Sequence, residues 1–322
     1  MFKIFTEAGF NKGFGHYSRI FGICEVLNEK NFEFKVFMDA DDSAQKVIGH
    51  KKYIVFENWL DYDCIIKLVN SQDIVLLDSY YYDIDFLERV KNICEEVIII
   101  DDNIRLDYHD VCIINPNYFS EYLKYPKQNG NKYYLGKDYT LLKRNFIPPD
   151  CKKINEKVEN ILITMGGSDV LQLTHRIIEY LHSFNNEAEL QIVVTSAFKN
   201  LDKIEEKIND RDKLWMDIDG KQMASLMRNA DFAISSAGGT SNELIKMMCP
   251  AILIAVADNQ YLNIKYLYEN NLVDVFDIDS MYKIKNMFNI NKRKKLIGNL
   301  KGKYSNKSAI DLILNIINKE ND

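Results

Sequence analysis

Two doubly wound α/β domains in tandem are the architecture this sequence predicts, and three observations predict it. Short apolar, β-branched runs alternate with longer stretches of helical spacing through the first half. A polar segment from Lys124 to Glu159 then holds three of the five prolines (Pro126, Pro148, Pro149) and shows no sustained periodicity. Beyond it the pattern restarts, so each half opens with strand, glycine loop and helix.

Taken in order, Phe2–Thr6, Glu33–Met38, Tyr53–Phe56, Asp73–Asp78, Glu96–Asp101 and Val111–Asn115 read as strands, with helical patterns between most of them. Continuous runs such as Ile74-Val75-Leu76-Leu77 and Val97-Ile98-Ile99-Ile100 suit strands covered on both faces, which implies a parallel sheet built from βα repeats. The proline-bearing segment marks a domain boundary. Its linker is placed at Ile147–Glu156, with domains at 1–147 and 148–322. In the second domain, Asn160–Met165 is a strand, followed by Gly166-Gly167-Ser168-Asp169 and a helical run from Val170 to His182. Further strands are expected at Glu189–Thr195, Lys213–Met216, Phe232–Ser235, Ala251–Ile254 and Leu272–Phe276. The expected result is two Rossmann-like domains facing across a cleft, with ligands at the carboxyl ends of the strands. A final helical run, Lys307–Ile317, fits on either domain, and the sequence leaves that choice open.

Composition narrows the function classes. A chain of 322 residues with 47% hydrophobic and 27% charged residues has enough material for two ordinary cores. The formal net charge of -6 argues against sequence-independent nucleic-acid binding. The basic run Lys292-Arg293-Lys294-Lys295 has no interleaved aromatic residues and reads as the solvated face of a late helix. Six scattered cysteines (Cys24, Cys64, Cys94, Cys112, Cys151, Cys249), without CxxC or a metal-like pairing with histidine, suit reduced core thiols. No apolar run approaches about 18 residues and the first residues lack the regions of a signal peptide. No stable membrane insertion is expected, and the expected compartment is the cytoplasm. Neither a cofactor nor a metal is expected, although Asp78, Asp101 and Asp102 can meet in space. The oligomeric state is not legible.

The chemistry gathers on loops. Gly13-Phe14-Gly15-His16-Tyr17-Ser18-Arg19 joins the first strand to a helix, where glycine allows a tight turn and close approach of a ligand. A helix N-terminus favours uncharged imidazole, so His16 is suited to accept a proton; the plainer alternative is an imidazole that caps its own loop. His50, His109, His175 and His182 lack such a setting. Arg19, one turn on, shares the face of His16 and can pair with Asp101 or Asp102 or stay in the core as an ion pair. Asp101 and Asp102 are adjacent at a strand end, so their side chains diverge instead of sharing a proton, which argues against a glycosidase-type dyad. In the second half, Ser235-Ser236-Ala237-Gly238-Gly239-Thr240-Ser241-Asn242-Glu243-Leu244 follows a strand and opens a helix. Its glycines and helix amides suit a phosphate, and Glu243 either accepts hydrogen bonds from ribose hydroxyls or merely complements the helix dipole. Together with Met165-Gly166-Gly167-Ser168-Asp169, this second loop points to a nucleotide.

As a set, the Gly-Phe-Gly-His-x-x-Arg loop, Met-Gly-Gly-x-Asp and Ser-x-Gly-Gly-Thr-x-x-Glu-Leu resemble the UDP-sugar hydrolase of pseudaminic acid biosynthesis and its spore-coat polysaccharide relatives. These are GT-B proteins akin to the MurG glycosyltransferase. Leu77-Asp78-Ser79-Tyr80, Asp101-Asp102, Asn115-Pro116-Asn117, Gly136-x-x-Tyr139-x-x-Leu142 and Asp258-Asn259-Gln260 follow in the family's order, so the resemblance covers residues 1–275. It implies hydrolysis of a UDP-linked deoxyamino sugar without a metal: water attacks the anomeric carbon, the C1–O bond breaks, and UDP and free sugar leave. It implies His16 as the base, with Tyr80 and Asn259 lining the reacting sugar. Gly13, Gly15, Arg19, Asp101, Asp102 and Asn117 would then bind substrate. The nucleotide would be held by Gly166, Gly167, Ser168, Ser236, Gly238, Gly239, Thr240, Glu243 and Gln260.

Departures from the family pattern lie where the sugar should sit. Type members carry Arg-x-Asp before the first glycine loop, where this chain has Phe5 and Glu7; the arginine after Tyr-x-x-Leu-(Ile/Leu) is Lys143, with Arg144 beside it. Two further readings share the nucleotide features: a GT-B glycosyltransferase that passes the sugar to an acceptor, and a nucleotide-sugar-binding relative without turnover.

Overall fold

A computed structural model describes residues 1–9, 12–127, 129–184 and 187–318. The chain divides into two compact units, Met1–Leu141 with Asn306–Asp322, and Leu142–Ser305.

The first unit is built on strands β1 (Phe2–Ala8), β2 (Phe34–Ala40), β3 (Ile54–Phe56), β4 (Ile74–Asp78), β5 (Glu96–Ile100), β6 (Cys112–Asn115) and β7 (Lys132–Leu135). All pair in parallel, in the order β3-β2-β1-β4-β5-β6-β7. Parallel pairing requires crossovers, and helices α1 (Gly15–Glu29), α2 (Asp42–Ile48), α3 (Tyr62–Leu68) and α4 (Ile84–Lys91) supply the first four. Three of these begin at an aspartate whose carboxylate accepts a first-turn amide: Asp41 from Ala44, Asp61 from Asp63, and Asp83 from Phe86. Strand alternation splits the apolar side chains between two cores. Ile4, Ile74, Leu76, Ile98 and Ile100 meet α1 on one face; Phe5, Val75, Leu77, Val97 and Ile99 meet α3 and α4 on the other. At the head of the second core, Phe5 stacks on Phe37 with ring centroids 5.0 Å apart and meets the edge of Trp59. The Trp59 indole donates to the Thr6 carbonyl at 2.8 Å, tying β1 to the loop before α3.

The second unit repeats the scheme with β8 (Asn160–Thr164), β9 (Glu189–Val194), β10 (Lys213–Met216), β11 (Phe232–Ser236), β12 (Ala251–Ile254) and β13 (Asp274–Val275), all parallel in the order β10-β9-β8-β11-β12-β13. Its helices are α5 (Thr174–Ser183), α6 (Leu201–Glu205), α7 (Gly220–Asn229), α8 (Thr240–Lys246), α9 (Tyr261–Glu269) and α10 (Ile290–Leu300). The last helix, α11 (Ala309–Asn318), answers the choice the sequence leaves open: Ile310, Ile313, Leu314 and Ile317 join Ile20, Ile23 and Leu27 of α1 in the core of the first unit.

Three local expectations are corrected. The polar segment contains β7, whose Lys132-Tyr133-Tyr134-Leu135 alternates weakly because it is an edge strand. The helix expected from Val170 starts at Thr174, because Asp169 and Gln172 take left-handed φ values of 41° and 50° and Asp169 caps the later turn. The basic run lies on α10 but is only partly solvated. Arg293 is buried and donates to the carbonyls of Asn155 and Glu156 at 3.0 and 3.1 Å, while Lys292 pairs with Asp274 at 2.9 Å. All six cysteines are free. Among the described residues, no helix is long and apolar enough to cross a membrane.

Candidate functional site

In each sheet the strand order reverses between two central neighbours, β1 and β4 in the first unit and β8 and β11 in the second. Chains leaving such neighbours diverge and open a crevice beyond their carboxyl ends. The loops singled out in the sequence follow these four strands.

In the first unit, just beyond β1, the backbones of Gly9 and Gly13 exchange reciprocal bonds at 3.2 and 2.7 Å. Gly13 has φ +75°, which favours glycine. The chain then enters α1 at Gly15 with no side-chain cap. His16, in the first turn, is 8% exposed. Its Nδ1 lies 3.2 Å from Glu7 Oε1, out of line for a hydrogen bond, and 3.8 Å from Asp78 Oδ1, beyond the reach of one. The Tyr80 ring stands edge-on to the imidazole with centroids 4.6 Å apart.

One turn later Arg19 holds two carboxylates together. Its Nε and Nη2 grip both oxygens of Asp78, the Nε bond being 2.8 Å, and its Nη1 is 3.0 Å from each oxygen of Asp102. Burial alone would lower the Arg19 pKa; Asp102 and Asp78 outweigh it and raise the value well above the ordinary one. Burial likewise pushes the Asp102 carboxyl up, but Arg19, the Tyr80 hydroxyl and His16 bring it down to about 2. Asp102 also accepts from the Tyr80 hydroxyl and from Asn117 Nδ2 at 2.8 Å. Asp101 turns elsewhere. Its oxygens accept the amides of Ile104 (2.8 Å) and Arg105 (3.1 Å) and the hydroxyls of Tyr125 (2.8 Å) and Tyr108 (3.3 Å), fixing the loop after β5. The approach of Asp78 to Asp102 is thus bridged by a guanidinium.

In the second unit, Gly166 has φ +76°, and a Cβ there would stand 3.3 Å from Ser236 Oγ, so the loop after β8 lies close against the end of β11. The Gly167 carbonyl accepts from Thr195 Oγ1 at 2.7 Å, and Asp169 caps α5 through the Leu173 and Thr174 amides. After β11, Gly238 and Gly239 lead into α8, which has no side-chain cap. Ser241 Oγ donates to the Gly238 carbonyl at 2.7 Å, and Asn263 Nδ2 donates to the Ala237 carbonyl at 3.0 Å, so the loop is braced from behind. Gly239 is exposed, with nothing within 4 Å of a Cβ position. Glu243, half-buried on α8, has its carboxyl pushed up to about 7 by burial, against a downward pull from Lys143.

Among the residues singled out in the sequence, His16, Arg19, Tyr80, Asp102 and Asn117 form one connected group beyond β1, β4 and β5, with Gly13 and Gly15 shaping the turn into it. Asp101 lies outside this group and fixes the loop after β5. Gly166, Gly167 and Ser168 belong to the loop after β8, Ser236 ends β11, Gly238 and Gly239 form the loop after it, and Thr240 and Glu243 lie in the first turn of α8. Gln260 accepts the Val256 amide at 3.0 Å and closes a turn, while Asn259 stands exposed on the short 3₁₀ turn Asp258–Gln260 of the second unit. Sequence reasoning passed over Glu7, noted only as a departure, although an acid at the end of a strand so apolar is itself a signal.

This pair of parallel sheets is the fold of the GT-B glycosyltransferases. The crystal structure of Acinetobacter baumannii MurG aligns with a TM-score of 0.62 at 13% identity, covering 98% of this chain and 99% of that one. Residues 160–284 match the Glycosyltransferase family 28 C-terminal domain. Uncharacterized protein MJ1062 of Methanocaldococcus jannaschii is 25% identical over 266 residues, 78% of this chain and 54% of that protein, so the match spans about half the relative's length. Spore coat polysaccharide biosynthesis protein SpsG of Bacillus subtilis is 23% identical, covering 80% of this chain and 78% of that one. The UDP-2,4-diacetamido-2,4,6-trideoxy-beta-L-altropyranose hydrolase of Campylobacter jejuni is also 23% identical, covering 77% of this chain and 89% of that one.

Proposed function

We propose that the chain is a nucleotide-sugar hydrolase that cleaves the anomeric C–O bond of a UDP-linked deoxyamino sugar, in the synthesis of a nonulosonic acid or a surface polysaccharide. The observation that carries this reading is the buried His16 at the uncapped start of α1, with Nδ1 against carboxylates. That arrangement leaves Nε2 to take a proton from water as the water oxygen bonds to the anomeric carbon. The C1–O bond breaks and UDP departs with the bonding pair. Arg19, Tyr80, Asp102 and Asn117 form a rigid polar wall that suits a sugar bearing hydroxyl and acylamino groups. In the second unit, the glycine loops present amides to the diphosphate and Glu243 accepts from the ribose hydroxyls; Asn259 and Gln260 complete the substrate contacts. The name of the Campylobacter relative supports the same substrate class, and that of the Bacillus relative supports a place in polysaccharide synthesis.

The test is incubation with UDP-, GDP- and CMP-linked deoxyamino sugars in ¹⁸O-water, with products read by mass spectrometry. Label in the free sugar and loss of turnover in His16→Ala are expected. Label in the nucleotide, or unchanged turnover in the variant, overturns the assignment. Release of UDP only on addition of an acceptor, with the sugar then bonded to that acceptor, would make the protein a glycosyltransferase.

A further inference from the structure

Three acids surround His16, and they are treated unequally. Asp78 and Asp102 share the Arg19 guanidinium. Glu7 is only 1% exposed, yet no lysine or arginine of the described residues pairs with it. Its oxygens accept from the Ser79 hydroxyl and, at 3.3 Å, from the Tyr80 amide, both neutral donors. A buried carboxylate without a cation is costly and is held where something offsets the cost. The nearest group able to become a cation is the His16 imidazole, 3.2 Å away.

We propose that Glu7 is the positioning residue of His16, holding its proton on Nδ1 and balancing the imidazolium that forms when Nε2 takes a proton from water. The inference rests on the reading of His16 as the base. Nδ1 faces two carboxylate oxygens, which can only accept, so the nitrogen that faces them carries the hydrogen. Asp78 Oδ1 stands 3.8 Å from Nδ1 and its carboxylate is already paired with Arg19, whereas Glu7 Oε1 is at 3.2 Å with only neutral donors, which makes Glu7 the acceptor within reach. A small turn of the ring aligns the 3.2 Å contact, as catalytic hydrogen bonds do when substrate closes on them. Glu7 itself is held firmly: β1 is anchored by the Trp59–Thr6 bond and by the Phe5–Phe37 stack, and Ser79 and Tyr80 orient its carboxylate. The charged and titratable groups facing the imidazole are Glu7 from β1, Asp78 from β4, Tyr80 and Asp102 from the loops after β4 and β5, and Arg19 from its own helix. Among the carboxylates, Glu7 is the one that Arg19 does not neutralise.

The experiment is ¹⁵N NMR of the full chain with labelled histidine, the His16 signals among the five histidines being identified by their loss in His16→Gln. The wild type should show the Nδ1–H tautomer. Glu7→Gln should mix the tautomers and lower the His16 pKa, since the anion that favours imidazolium is gone. In turnover, Glu7→Gln should lower kcat about 100-fold with KM little changed, and move the acid limb of the kcat profile to lower pH. Glu7→Asp, which keeps the charge but withdraws it by one methylene, should lose less. If Glu7→Gln does not fold, Ser79→Ala decides: loss of the hydroxyl leaves the carboxylate more basic, so the His16 pKa should rise with the tautomer retained. An unchanged tautomer and titration in the folded variants overturns the proposal. The NMR result stands even if no nucleotide sugar is turned over, so failure of the enzyme reading and failure of the Glu7 role are told apart.

Discussion

Replacing Arg19 by methionine keeps most of the aliphatic volume and removes the charge that Asp78 and Asp102 share. Asp78 has no exposed surface and both its oxygens are bonded to Arg19. Removing one partner of a buried pair costs about 3–5 kcal/mol, because an uncompensated charge is left behind. The carboxylate has an escape, which is to take up a proton. At about pH 7 that costs three pKa units of about 1.36 kcal/mol each for a group of ordinary pKa about 3.9, so the part of the loss that comes from Asp78 has a ceiling of about 4 kcal/mol. The escape fixes the pH dependence. With Asp78 protonated in the folded variant and ionised in the unfolded chain, acidification from about pH 7 to about pH 5 returns nearly 3 kcal/mol relative to wild type. The assay is urea unfolding read by Trp59, buried in the first unit, with Trp215→Phe as background because the chain has two tryptophans. A loss below about 1 kcal/mol near neutrality, or no relief on acidification, would refute the claim that Arg19 compensates these buried charges.

Two further outcomes concern the second unit. Gly239→Ala should leave stability unchanged, since Gly239 has φ -55° and nothing within 4 Å of a Cβ. It should weaken UDP binding by about tenfold or more in calorimetry, because only a ligand would meet the methyl group; unchanged affinity would remove this loop from the phosphate site. Glu243→Gln should protect β8 and β11 against hydrogen exchange near neutrality and have little effect at about pH 5. The Glu243 carboxyl titrates at about 7 when folded, against 4.5 ordinarily, so the folded state holds a proton that the unfolded chain has shed, and wild-type stability falls as pH rises between these values. Equal protection at both pH values would contradict the raised pKa.

Much of the fold was legible because parallel strands buried on both faces are written as unbroken apolar runs. Ile74-Val75-Leu76-Leu77 and Val97-Ile98-Ile99-Ile100 are β4 and β5 almost to the residue. β7 was not legible for the converse reason: an edge strand half open to solvent needs no such run. The helix start at Thr174 depends on the left-handed turns at Asp169 and Gln172, which neither residue type announces. At the candidate site, the one-turn spacing of His16 and Arg19 and the divergence of Asp101 from Asp102 follow from helix and strand periods. The bridging of Asp78 to Asp102 by Arg19 depends on how β4 and β5 sit against α1, a tertiary matter. Glu7 stood out only as a departure from the family pattern, because its meaning comes from what stands beside it.

The return of α11 to the first core has a consequence for biosynthesis. Its Ile310, Ile313, Leu314 and Ile317 cover α1 side chains made some three hundred residues earlier. A ribosome adding ~5–20 residues per second needs roughly 10–30 s to make the intervening second unit, Leu142–Ser305. Throughout that interval Ile20, Ile23 and Leu27 lack this cover, while the second unit, being continuous in the chain, can fold completely. The unit begun first is therefore finished last, and the nascent chain carries a sticky helix face that must be shielded until its cover emerges.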